Sequence, residues 1–267
     1  MERTPSALII TLLTDFGSTD YFVGSVKGVI LSINPHVTIV DLTHEVASFS
    51  VAEAAFLLHS TYPYFPKGSI HVAVVDPGVG SDRRPLLVHA GGFYFLAPDN
   101  GILSYVFRDI PNYQCVELTE TKFHLPARGN SFHARDVFAP VAAWLSRGTP
   151  IGQFGRGSHH PTTIPLPAPR HTDNALEGEV IYIDRFGNLI TNITKNDVDH
   201  CGPRDQLTIT IGDARCRGIS RCYADGSQDA PSTIVNSSGH LEIFFYQGNA
   251  AHHLHAKIGI YVTLTGR

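Results

Sequence analysis

The sequence predicts an α/β amino-terminal domain, with a central, mainly parallel sheet flanked by helices, followed by a small all-β barrel domain. Three observations carry that prediction. Apolar, β-branched runs alternate with helical periods through the first third of the chain. A Pro-, His-, Thr- and Gly-rich stretch from Gly155 to Asn174 then shows no period, and beyond it only short strands separated by turn residues remain. The 267 residues exceed the usual ~150 of one domain, so the expected boundaries are 1–160, a linker over 161–175 and a barrel over 176–267.

Leu8 to Asp15, Val37 to Asp41 and Ile70 to Asp76 each run apolar and stop on aspartate. A carboxylate at the carboxyl end of a buried strand sits at the rim of an α/β sheet, where ligands bind. Phe22, Val26, Val29, Ile30 and Ile33 fall at helical spacing, and Asn34-Pro35 stops that helix. Ser50 and Glu53 read as a capping box opening the next helix. This β-α-β-α-β order implies right-handed crossovers and helices on both sheet faces. Leu86 to His89 and Phe93 to Ala97 form a hairpin around Gly91-Gly92, and Asp99-Asn100-Gly101 turns into a short helix. A long helix over Ser131 to Ser146 ends near Gly148. Strands are expected at Glu179–Ile183, Leu189–Ile193, Gln206–Ile211, Ser232–Val235, Leu241–Tyr246 and Ile258–Leu264.

Composition narrows the function classes. A net charge of −4 without a Lys/Arg cluster argues against nucleic-acid and membrane-surface partners and leaves small ligands. Cys115, Cys201, Cys216 and Cys222 form no C-x-x-C pair, which disfavours a zinc site or a disulfide framework and suits a reduced, cytoplasmic setting. Ala7 to Leu13, preceded by Glu2 and Arg3, lacks the flanks of a signal peptide, and no apolar run reaches the ~18 residues of a membrane span.

Several clusters could carry chemistry. Asp15 can accept hydrogen bonds from a ribose diol, while Asp20 reads as a carboxylate on the first turn of the following helix. The turn Asp76-Pro77-Gly78-Val79-Gly80-Ser81-Asp82-Arg83 lacks the third glycine of a dinucleotide fingerprint and any G-K-[ST]. It lets Arg83 meet Asp76, with Arg84 as a second guanidinium nearby, either as a reactive pair or as a structural salt bridge. His133 opens the long helix, whose dipole favours the neutral imidazole and suits a general base. His252, His253 and His255 have no acidic partner and read as a surface helix rather than a metal site. Asp184 to Asn188, Asn236 to His240 and Gln247 to Ala251 are hydrogen-bonding loops, each explicable as turn chemistry alone.

Taken together, the motifs Thr14-Asp15-Phe16-Gly17, Val75 to Gly80, Ala97 to Gly101, Phe132-His133-Ala134-Arg135-Asp136, Ile183 to Asn188 and Gly248 to Ala251 resemble the S-adenosyl-L-methionine (SAM) hydrolases, or hydroxide adenosyltransferases, relatives of the fluorinases and chlorinases. The resemblance implies hydrolysis of SAM to adenosine and L-methionine by water attacking C5′, with no cofactor and no metal. It implies Asp76, Arg83 and His133 as the water-handling set, where the halogenating relatives carry a tyrosine and a threonine at the places of Asp76 and Val79. It further implies Asp15 on the ribose, Asp184 on the ammonium, Ser237 on the carboxylate, and Asn188, Asn249 and Ala250 on the adenine. Ala134 stands at a halide-contacting serine and Ser238 at an arginine of the fluorinases. Phe16 and Phe132 can surround the sulfonium, although core packing explains them equally. A homotrimer whose site is completed by a neighbouring subunit's barrel is also implied. The rival readings are a SAM or nucleoside sensor without turnover, a halide-using adenosyltransferase, and a metal-dependent phosphoesterase built on the strand-end aspartates.

Overall fold

A computed structural model describes residues 8–126 and 129–266, so Glu2, Arg3 and Ala7 lie outside the described residues. The chain divides into two units, Met1–Pro165 and Leu166–Arg267.

In the first unit, β1 (Ile9–Thr14), β2 (Thr38–Thr43), β3 (Ile70–Val74), β4 (Pro85–Ala90), β5 (Phe93–Pro98), β6 (Tyr113–Leu118) and β7 (Gly155–Gly157) form one sheet in the order β2-β1-β3-β5-β4-β6-β7. The pairings from β2 to β5 are parallel, and β4, β6 and β7 pair antiparallel, so the sheet is mixed with five of its seven strands pointing one way. Side chains of β3 and the residue after it alternate between two cores: Ile70, Val72 and Val74 pack with α1 (Phe22–Ile33) and the 134–146 helix, while Ala73 and Val75 pack with α2 (Val51–Thr61) and α3 (Ser104–Asp109). Helices therefore cover both faces, which is why the central strands read as unbroken apolar runs. Because β2 and β3 lie on opposite sides of β1, the strand order reverses there, and the loops after β1 and β3 part to leave a crevice at their carboxyl ends.

The Gly91-Gly92 hairpin forms with both glycines at positive φ (58° and 84°), as a two-residue type I′ turn demands. Three local expectations are corrected. Asp20 precedes α1, which starts at Phe22 with no acidic residue in its first turn. Ser50 is the N-cap of α2 but makes no capping bond; Phe49 enters with φ 69°, and Glu53 accepts the Ala47 N–H (3.4 Å) instead. The Ser131 to Ser146 helix is two pieces, a π-helical turn over Ala134–Phe138 and α4 (Ala139–Ser146). Pro140 has no N–H to offer the Asp136 carbonyl, which accepts Leu125 N–H (2.9 Å) from outside the helix.

In the second unit, β8 (Arg170–His171), β9 (Leu176–Ile183), β10 (Leu189–Thr194), β11 (Thr208–Ile211), β12 (Ala214–Arg217), β13 (Ser232–Val235), β14 (His240–Phe244) and β15 (Tyr261–Thr265) form an antiparallel sheet ordered β12-β11-β15-β9-β10-β14-β13, with β8 on β9. Ser220 N–H donates to Thr233 O (2.7 Å), tying the segment after β12 to β13 and nearly closing the barrel. Two short helices, α5 (Lys195–Cys201) and α6 (Ala250–His253), accompany it, the first opened by a Thr194/Asp197 capping box.

His71, on β3, is fully buried among Tyr62, Phe65, Phe93 and Phe95, and among the described residues only its Nδ1 is bonded, to Thr11 Oγ1 at 2.8 Å. Burial pushes its pKa down to about 4. The unfolded chain takes up a proton near pH 6.5 that the folded chain refuses, so stability falls as pH drops from about 6.5 to about 4. Urea unfolding across that window should show His71 contributing a loss on the order of 3 kcal/mol, which His71→Gln removes.

Candidate active site

Asp15 leaves β1 and Asp76 leaves β3, both at the switch-point crevice, where they line a cavity of about 290 Å3 together with Phe16, Phe132, His133 and Ala134. Asn100 fastens the second loop by donating from Nδ2 to Val75 O (2.8 Å), one residue before Asp76. The glycine-rich turn then folds back, and Arg83 Nε reaches Asp76 Oδ1 (3.0 Å) and Oδ2 (2.9 Å) while Nη2 bonds Oδ2 as well. Both side chains are nearly enclosed, at 9% exposure for Arg83 and 5% for Asp76.

The same Nη2 lies 2.7 Å from His133 Nδ1. A guanidinium can only donate, so Nδ1 is the acceptor and the neutral ring carries its proton on Nε2. Burial first, and then the Arg83 charge, depress the His133 pKa against the opposing pull of Asp76 and Asp136. The neutral imidazole is thus explained by enclosure and a neighbouring cation; α4 begins only at Ala139, after the π-helical turn that His133 precedes. Arg83 Nη1 is buried and has no partner among the described residues. Arg84 does not join the set. Neighbouring residues of an extended segment point to opposite sides, and Arg84 is bonded to Asp99 Oδ2 (Nε, 2.8 Å), Ser158 Oγ (2.9 Å) and His160 O (3.0 Å).

Asp15 accepts the Phe49 N–H on Oδ2 (2.9 Å), and among the described residues Oδ1 has no bond. Phe16, Phe22 and Phe132 meet edge-on or tilted, with centroids 5.3–5.9 Å apart, and the Arg135 guanidinium lies 4.8 Å from the Phe132 centroid. Both phenylalanines named from the sequence therefore line the cavity and pack on the core at once. Phe22, Ser48, Phe49 and Val79 line it too. Phe49 carried no signal in the sequence: it is 70% exposed and adopts positive φ, an arrangement visible only once the chain is folded around Asp15.

The second unit collects its own candidates. Asp184 accepts Phe186 N–H and Asn188 N–H on Oδ1 (2.9 Å each) and Asn188 Nδ2 on Oδ2 (3.0 Å), so it builds the turn it stands in. Gly187, at φ 83°, packs against the Asn249 amide with no room for a Cβ, and its carbonyl accepts Ala251 N–H (2.9 Å). Asn249 caps α6 through His252 N–H (2.7 Å), and Ala250 is fully buried beside it. Asp184, Asn188, Asn249 and Ala250 therefore form one locus. Ser237 is exposed on a neighbouring loop organised by Asn236, whose Oδ1 accepts Ser238 N–H (3.0 Å) and His240 N–H (3.0 Å) and whose Nδ2 donates to the buried Glu242 (2.9 Å). Burial raises the Glu242 carboxyl, Asp184 adds to that rise, and the bonds from Asn236 and Tyr223 oppose it. Sequence reading passed over Glu242 because a lone glutamate in a strand looks solvent-facing. Among the described residues no group of three or more His, Cys, Asp or Glu is placed to hold a metal, His252, His253 and His255 included.

These electrostatics have a testable sign. Imidazole 15N NMR should report His133 protonated on Nε2. Its pKa should rise in Arg83→Met, which removes a cation, and fall in Asp76→Asn, which removes an anion.

Residues 10–155 match the model of the SAM hydroxide adenosyltransferase N-terminal domain, and residues 178–263 match that of the C-terminal domain. An (R)-S-adenosyl-L-methionine hydrolase of Methanocaldococcus jannaschii is 33% identical, covering 91% of this chain and 90% of its own. Another, from Thermus thermophilus, is 34% identical over 96% of this chain and 98% of its own. The crystal structure of an uncharacterized conserved protein from Thermotoga maritima superposes with a TM-score of 0.91 at 30% identity, over 96% of this chain and 99% of that one. With both family domains matched in order over a sheet crevice that gathers Asp76, Arg83 and His133, the chain belongs to the SAM hydroxide adenosyltransferase family.

Proposed function

We propose that this protein hydrolyses SAM to adenosine and L-methionine, water attacking C5′ in line with the departing sulfur. The observation that carries this reading is Arg83: two of its nitrogens are committed to Asp76 and His133, and its third, Nη1, is buried with no partner among the described residues. An unspent donor in a low-dielectric site stabilises the negative charge that develops as a water oxygen becomes a nucleophile. The names of the relatives, both hydrolases of SAM, support the same substrate.

The chemistry asks little of an acid. As the oxygen bonds to C5′, the C5′–S pair leaves with sulfur as the neutral thioether of methionine, and the water surrenders one proton. Asp76 Oδ1 accepts only one bond from Arg83, so it has capacity for that proton. His133 Nδ1 is already occupied by Arg83, so its work is to hold the guanidinium in place and stay neutral. Alignment supplies on the order of 7–11 kcal/mol and the base a further ~10²–10⁴-fold. Ala134, buried at the cavity wall, offers no hydroxyl to a halide, which favours water over fluoride.

The remaining assignments belong to the same proposal: Asp15 on the ribose diol, Phe16 and Phe132 around the sulfonium, Asp184 and Ser237 on the methionine head, and Asn188, Asn249 and Ala250 on the adenine. So do catalysis without metal or cofactor, and a homotrimer in which one subunit's barrel completes the next subunit's site. A cytoplasmic setting is proposed as well, which the four free thiols suit; among the described residues no helix is long and apolar enough to cross a membrane.

Purified protein incubated with SAM in 18O-labelled water should yield adenosine labelled at the 5′ oxygen and unlabelled methionine, at a rate unchanged by chelator. Binding without products would instead identify a sensor, and chelator-sensitive phosphoester cleavage a phosphoesterase. Arg83→Ala should lower kcat by about 10²–10³-fold while SAM binding changes little. Retained turnover in that variant would contradict the role given to Arg83.

A further inference from the structure

A chain of polar contacts runs behind the crevice and takes no part in the chemistry above. His44, just past β2, places Nδ1 2.8 Å from the Thr14 hydroxyl, and its Nε2 lies 3.0 Å from Asp41 Oδ1, at ion-pair distance but outside hydrogen-bond alignment. Asp41 holds Lys27 of α1 at 2.5 Å. The buried Thr14 oxygen also accepts Phe16 N–H (3.3 Å). The backbone follows the same path, Gly17 N–H donating to His44 O (2.8 Å) and Val46 N–H to Thr14 O (3.4 Å).

Asp15 stands in the middle of this turn, between the residue whose hydroxyl His44 grips and the residue whose N–H that hydroxyl accepts. Its own carboxylate is steadied on one oxygen by Phe49, from the segment His44 introduces. The threonine oxygen, taken on one side by an N–H and on the other by a ring nitrogen, leaves the turn few alternative settings. We propose that Asp41, His44 and Thr14 form a positioning relay that sets the Asp15 carboxylate against the ribose diol of the nucleoside. This rests on the ribose assignment of Asp15 given above.

Calorimetric binding of adenosine and of 2′- and 3′-deoxyadenosine to the full chain tests both layers without requiring SAM turnover. The wild type should prefer adenosine over at least one deoxy analogue by about tenfold or more, the worth of a hydroxyl bonded to a carboxylate. His44→Ala should lose most of that preference by weakening adenosine alone, and His44→Asn, whose amide can stand in for Nδ1, should restore it. If His44→Ala fails to fold, Thr14→Val, close in shape and lacking the hydroxyl, carries the same expectation. A His44→Ala protein that binds all three nucleosides more weakly but keeps the full preference would overturn the relay as a positioning device. A wild type indifferent to both hydroxyls would overturn the ribose role of Asp15 and the relay's purpose with it.

Discussion

The bridge that Arg83 makes between Asp76 and His133 is the constraint on which the site depends. One guanidinium fixes a carboxylate from the loop after β3 and an imidazole from the residue that caps the π-helical turn, two segments far apart in sequence. Being a permanent donor, it also leaves the imidazole neutral, with its proton away from Arg83. An ion pair this enclosed adds little net stability, since desolvation offsets most of its attraction. Its value lies in holding Asp76 and His133, both of which line the cavity, in one fixed arrangement.

The sheet explains why those groups meet at all. Reversal of strand order about β1 opens the crevice, and the parallel register of β1 with β3, Thr14 opposite Val74, sends Asp15 and Asp76 out on the same rim. Pro140 adds a second device. By withholding an N–H it frees the Asp136 carbonyl for Leu125 and gives the helix a π-helical first turn, at whose head His133 sits. Mid-helix irregularities of this kind are commonest where a side chain has to be aimed.

Much of this was legible in the residues. β1 and β3 are buried on both faces and so appear as plain apolar runs, and Gly91-Gly92 admits only a tight hairpin. Asp76, Arg83 and His133 could be named together by resemblance, but their mutual bonds, and hence which atom is free to act, depend on tertiary geometry. Elements whose stability comes from pairing were not visible. β7 is Gly-Arg-Gly, β8 has two residues, and β12 buries only Cys216 of its four, so none shows a periodic signal. β6 buries the adjacent Cys115 and Val116 and so shows no clean two-residue period, and its pairing with β7 draws the start of the stretch read as a connection into the first unit. Ser50 and Glu53 had the spacing of a capping box, yet the positive φ of Phe49 turned the glutamate towards Ala47.

Stereochemistry at C5′ tests the central claim most directly. SAM carrying deuterium in one of the two diastereotopic C5′ positions, turned over to completion, should give adenosine of inverted configuration, because water enters opposite sulfur in a single displacement. Retention, or a racemised C5′, would contradict in-line attack by water.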